Sequence, residues 1–179
     1  MKKTILLSFL TFSTLSLRAQ SGKNVEDYQF KINFINPGLE YEIGIGENQA
    51  LDFNGSLQFA LNSTGYAFIP SLNGQYRYYY NLKRRLKKNK RTAGNTGNYL
   101  AASGTFFLEE VIIGNLTSGD GYFGFAGPVY GLQRTYPKGF NFNLEFGVGY
   151  YFDSFFKDEG FAPTVSISVG WVIDGGKGK

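Results

Sequence analysis

The chain has 179 residues, with 24 Gly, 18 Phe, 13 Tyr, no Cys, no His and a formal net charge of +4. The length fits one domain, an aromatic share of 18% argues against disorder, and no apolar run reaches the roughly 20 residues that a membrane helix needs. Without Cys there is no disulfide framework, thiolate metal site or cysteine nucleophile. Without His the commonest general base and the commonest metal ligand are missing, so neither an enzyme nor a cofactor is expected.

Residues 1–19 read as an export signal. Lys2 and Lys3 form its basic start, residues 5–17 its apolar stretch, and Ala19 the small residue before a cut that would leave Gln20 first. Thirteen residues are too few to span a bilayer as a helix. Taking away Lys2, Lys3 and Arg18 leaves 15 basic and 14 acidic residues. Seven of those 15 fall in residues 83–91, so the rest of the mature chain carries about −6 and the basic character is local.

From residue 28 onward the predicted elements are strands. Weak runs at 28–35 and 39–45 flank the turn Asn36-Pro37-Gly38. Next, Leu51, Phe53, Gly55, Leu57, Phe59 and Leu61 alternate with Asp52, Asn54, Ser56, Gln58, Ala60 and Asn62, the period of a strand with two unlike faces. Residues 66–80 repeat the pattern, with Tyr66, Phe68, Leu72, Tyr76, Tyr78 and Tyr80 against Ser71, Asn73, Gln75 and Arg77. A turn or two of helix is expected within 81–88. Further weak runs lie at 99–108 and 122–132, and the glycines of 119–127 suit tight turning and close packing rather than phosphate binding. Strong alternation returns at 140–152, and again at 164–173 with Val165, Ile167, Val169, Trp171 and Ile173 on one face. Eight up-and-down strands result, in a single domain spanning residues 20–179.

Alternation alone does not say which face meets water. Within these strands the polar positions are mostly Asn, Ser, Gln, Thr and Gly, which suit a crowded, hydrated interior better than an aqueous surface. Aromatics gather near strand ends, at 78–80, Tyr99, Tyr122, 150–152 and Trp171, as in the girdles at the two interfaces of a membrane barrel. Spanning strands of about 9–11 residues fit eight times into the mature chain.

On these features, and on a final strand that carries Trp171 near its end, the chain resembles the small eight-stranded outer-membrane β-barrels of Gram-negative bacteria. The resemblance implies an all-β, up-and-down antiparallel transmembrane β-barrel in the cell outer membrane, with the barrel-assembly machinery as a partner during biogenesis. The segment 174–179 departs from it, since such chains often stop at the terminal aromatic. The resemblance is one of architecture and carries no activity.

Two constellations stand out. Lys83, Arg84, Arg85, Lys87, Lys88, Lys90 and Arg91 form a basic run suited to anionic lipid headgroups or lipopolysaccharide, at about 1 kcal/mol per cation near such a surface. Nucleic acid is not an expected partner of an exported barrel. Eight strands counted from Tyr28 put this run on the periplasmic side, whereas fusing residues 28–45 into one strand would put it outside at the cost of an odd count. Second, strand parity aims Lys31, Glu40, Glu42, Asp52, Arg77 and Glu145 into the lumen, where charges must pair because an unpaired buried charge is costly. The sequence reading is therefore an envelope barrel with a structural or interaction role. An exported lipocalin-like barrel for an apolar ligand and a narrow pore are the alternatives.

Overall fold

The computed structural model describes residues 22–62, 65–108, 111–115, 121–154 and 157–176, so the predicted export signal lies outside the described residues. In chain order the strands are β1 (Tyr28–Ile35), β2 (Gly38–Gly44), β3 (Gln49–Asn62), β4 (Gly65–Tyr78), β5 (Gly97–Phe107), β6 (Ile113–Gly114), β7 (Phe123–Thr135), β8 (Phe140–Asp153) and β9 (Asp158–Gly176). A six-residue helix α1 (Leu82–Lys87) and a 3-10 turn (Pro137–Gly139) interrupt them. No helix among the described residues is long and apolar enough to cross a membrane.

All pairings are antiparallel, and the sheet closes in a ring because β1 pairs with both β2 and β9 while β3 pairs with β4. Eight strands make the ring. The ninth, β6, was not expected; it adds two rungs at Ala67 and Phe68, where β4 outruns β5. Residues 174–176, which looked like a tail beyond the last strand, continue β9 and pair with Phe30, Gln29 and Tyr28.

Local sequence explains the corners. Asn36 turns the chain between β1 and β2 with φ 54°, a left-handed conformation that Asn tolerates, and Pro37 cannot continue the strand. Just after it, a Cβ on Gly38 would strike the Gly55 carbonyl of β3, so only glycine admits that approach. With β1 and β2 thus separate, the connections β2–β3, β4–β5 and β7–β8 lie at the end of the ring where β1 begins and β9 stops. This terminal end holds α1. The turns β1–β2, β3–β4, β5–β7 and β8–β9 lie at the far end.

Burial is inverted relative to a water-soluble domain. Among the described residues the buried side chains are 21 polar or charged ones against eight apolar ones. The other strand faces carry Leu39, Phe53, Leu72, Phe146, Val148, Val165 and many more large apolar groups in exposed positions. Pleating produces this directly, since each strand alternates one polar and one apolar residue and the ring gives every strand the same inner side.

Candidate functional site

Register brings the interior charges together. Lys31 stands directly opposite Glu40, Gln29 opposite Glu42, Glu42 opposite Asp52 and Asp52 opposite Gln75. Arg77, in contrast, has Ala50 and Ala101 as its cross-strand neighbours. Two methyl groups beside a long side chain leave the guanidinium free to reach across the lumen.

All six predicted lumen charges are buried and joined in one network. Lys31 Nζ meets Glu40 Oε1 at 2.7 Å, Glu42 Oε2 at 3.0 Å and the Gln133 amide oxygen at 3.1 Å. Arg77 Nη1 meets Asp52 Oδ2 at 2.9 Å and Glu40 Oε1 at 3.2 Å, and its Nη2 lies 3.5 Å from Glu145 Oε1. Its Nε donates to Gln75 Oε1 at 2.7 Å, and the guanidinium carbon stands 4.8 Å from the centroid of the Tyr99 ring. The carboxylates of Glu40, Glu42 and Asp52 converge as three metal ligands would, but Lys31 and Arg77 already occupy the space between them with fixed positive charge.

Two tyrosines correct the sequence reading. Tyr79 and Tyr99, counted there among the interfacial aromatics, have no exposed surface and point inward. The Tyr79 hydroxyl donates to Glu42 Oε1 at 2.7 Å, and that of Tyr99 is bonded to Glu145 and to Asn143. Their rings pack 5.1 Å apart and, with Leu82 and Val25, floor the lumen on its terminal side. Gly131 leaves the room, since a Cβ there would fall on the Tyr99 ring. Tyr78 and Tyr80 do face outward.

The neutral members of the network, Gln29, Gln75, Gln133 and Asn143, are not among the site residues expected from sequence. Parity was the available signal, since it sets Gln75 and Asn143 on the inner face. A polar cleft of about 90 Å³ lies above the charges toward the far end, lined by Asn54, Ser56, Asn73, Ser103, Ser166 and Ser168 among others.

The basic run lies at the terminal end and its seven cations divide into three kinds. Leu82 anchors α1 by complete burial, and Asn89, with φ 50°, ends it in a left-handed cap while Lys90 N–H returns to the Arg85 carbonyl at 2.9 Å. Arg85 and Arg91 serve the loop itself. Arg85 donates to the Arg91 carbonyl at 3.1 and 2.9 Å, and Arg91 Nε to the Thr135 carbonyl at 2.7 Å. Lys83 pairs with Glu47 at 2.8 Å, with both side chains more than half exposed, so the contact contributes little. Arg84, Lys87, Lys88 and Lys90 are exposed.

No family model, curated protein or solved structure matches this chain.

Proposed function

We propose that the protein is a small transmembrane β-barrel of the outer membrane with a structural and interaction role in the envelope, not an enzyme. The observation that carries this reading is the inverted burial: a closed ring with charged and amide side chains inside and a continuous apolar exterior. In water such an exterior would be far larger than the few hundred Å² of contiguous apolar surface that monomers tolerate. In lipid it is the stabilising face, and a closed ring is one of the two backbone arrangements that a bilayer accepts.

Aromatics at the two ends of that exterior support the same reading. Trp171 packs against Phe34 and Phe140 toward the terminal end, while Tyr150 with Phe161 and Tyr122 with Phe152 sit toward the far end. With the start of β1 and the end of β9 on one end, the outer-membrane reading puts that end, and α1 with it, in the periplasm. Arg84, Lys87, Lys88 and Lys90 then face the phospholipid headgroups of the inner leaflet rather than lipopolysaccharide, each contributing about 1 kcal/mol toward an anionic surface.

Fractionation and labelling test this reading together. Signal-cleaved protein is expected in the outer-membrane fraction after alkaline washing. The Lys88→Cys variant is expected to react with an impermeant maleimide only after the outer membrane is opened. Recovery in the soluble periplasm would defeat the membrane reading, and labelling in intact cells would reverse the orientation.

A further inference from the structure

The wall of the ring is not equally tall all round. β9 pairs with β8 over residues 158–171, yet its highest rung with β1 joins Val169 to Ile35. β3 pairs with β4 as far as Asn62, yet with β2 only as far as Ser56, with one more backbone bond from Leu57 to Pro37 at 2.8 Å. Asn36, at the hairpin tip, donates its side-chain amide to the Ile167 carbonyl at 3.1 Å and marks where the wall stops. Above it a notch opens between β3 and β9. The 11 residues of β9 beyond Val169 rise roughly 25 Å if each advances about 3.3 Å along a strand tilted by about 45°.

Three features of the notch point to an occupant. Its outer rim is apolar: Phe161 is 79% exposed, Val165 63% and Phe59 54%. Its inner rim is polar, because Ser166 and Ser168 of β9, Asn54 and Ser56 of β3 and Asn36 all line the cleft inside the ring. Finally, an open sheet edge cannot face hydrocarbon unsatisfied. Beyond the Ile167 carbonyl, the β1-facing side of residues 159–166 has no sheet partner among the described residues.

The floor of the cleft sets the charge of that occupant. Glu40, Asp52, Glu145 and Arg77 line it. In the whole cluster the carboxylates of Glu40, Glu42, Asp52 and Glu145 face the two cations Lys31 and Arg77. Asp52 is fully buried, and its Oδ1 receives no hydrogen bond. A phosphate would meet an excess of negative charge there, and a sugar would leave that excess unmatched. A primary ammonium brings one positive charge and three donors, for carboxylate and main-chain carbonyls alike.

We infer that the notch is a lateral port for an amine-bearing amphiphile, whose ammonium head enters the polar cleft toward Asp52 while its tail stays in lipid against Phe59, Phe161 and Val165. This rests on the membrane reading above. The test uses the full mature chain in phosphatidylcholine nanodiscs, titrated with dodecylammonium, dodecyl maltoside or dodecyl phosphate and followed by the amide resonances of Asn54 and Ser166. Dodecylammonium is expected to bind saturably, one per ring, at least about tenfold more tightly than either of the others. Asp52→Asn and Ser166→Trp are each expected to weaken it about tenfold or more. Gln58→Trp blocks the port from the opposite edge, so the test stands if one tryptophan variant does not fold.

Absence of saturable ammonium binding, equal binding of the phosphate, or indifference to both tryptophan variants overturns the port. So do nanodiscs holding two copies joined along β9, which would make the edge a strand-pairing surface. Failure of the chain to insert into nanodiscs defeats the membrane reading and the port together, whereas insertion without binding defeats the port alone.

Discussion

Arg77→Met is the sharpest probe of the interior network, because it keeps most of the side-chain length and removes only the charge and the donors. Arg77 is 2% exposed, and its guanidinium meets Asp52 at 2.9 Å, Gln75 at 2.7 Å, Glu40 at 3.2 Å and Glu145 at 3.5 Å. Its loss leaves Lys31 as the remaining cation, and Lys31 is already committed to Glu40 and Glu42. Removing one partner of a buried pair costs about 3–5 kcal/mol. At about 1.4 kcal/mol per factor of ten, the folded-to-unfolded ratio should fall by roughly two to three and a half orders of magnitude.

Arg77→Lys keeps the charge, but one ammonium cannot reach acceptors on four strands, so about 1–2 kcal/mol should still be lost. Adding Asp52→Asn to Arg77→Met should give back at least about 1 kcal/mol relative to additivity, since the two groups touch. Urea titration in lipid vesicles reads these changes through Trp171, the single tryptophan, whose ring packs 5.5 Å from Phe34 and 5.3 Å from Phe140. A loss below about 1 kcal/mol for Arg77→Met, or strict additivity with Asp52→Asn, would mean that the guanidinium does not hold the carboxylates together.

Gly131→Ala should cost about 1–3 kcal/mol by overpacking against Tyr99, and most of that cost should vanish in a Tyr99→Leu background, as read by the same urea midpoints. Val148→Arg, on the outer face of β8, should destabilise the protein in bilayers by about 2–4 kcal/mol; a change within about 0.5 kcal/mol, as on an aqueous surface, counts against lipid contact. Neutralising Arg84, Lys87, Lys88 and Lys90 together should weaken binding of vesicle-borne or nanodisc protein to anionic liposomes without moving the urea midpoint. Arg91→Gln should instead loosen residues 88–96 in hydrogen exchange, because Arg91 holds that loop to the Thr135 carbonyl at 2.7 Å. Planar-bilayer recordings should show no steady conductance, since Arg77, Lys31, Tyr79 and Tyr99 fill the lumen.

Much of this architecture was legible because pleating is a strict rule: in a strand with one apolar face, parity decides where every side chain goes. Lys31 and Glu40 could be set inside from neighbouring residues alone, and the turn at Asn36-Pro37 is chemical rather than contextual. Tyr79 and Tyr99 were misplaced because a tyrosine near a strand end serves equally well as an interfacial anchor or, hydroxyl inward, as a lumen donor. Only the proximity of Glu42 and Glu145 distinguishes the two. Arg85 and Arg91 were illegible for another reason: parity has no meaning in a loop, so nothing local separates a cation that caps its own backbone from one that faces solvent. The notch was hidden too, because it depends on how far each strand outruns its neighbours, a property of register rather than of any segment. β6 is two residues long and has no periodicity to read.

The rung between Tyr28 and Gly176 ties the first strand of the ring to the last, across a seam with two register shifts. Synthesis therefore supplies the final latch last. A chain cut before β9 would be an open sheet with raw edges on β1 and β8, the kind of template on which copies aggregate edge to edge. Loop-closure entropy rises only slowly with length, but rates fall as pairing becomes non-local, and this pairing joins the first strand of the ring to the last. The molecule is thus committed to waiting. Until β9 arrives, the edges of β1 and β8 stay open to any strand that meets them.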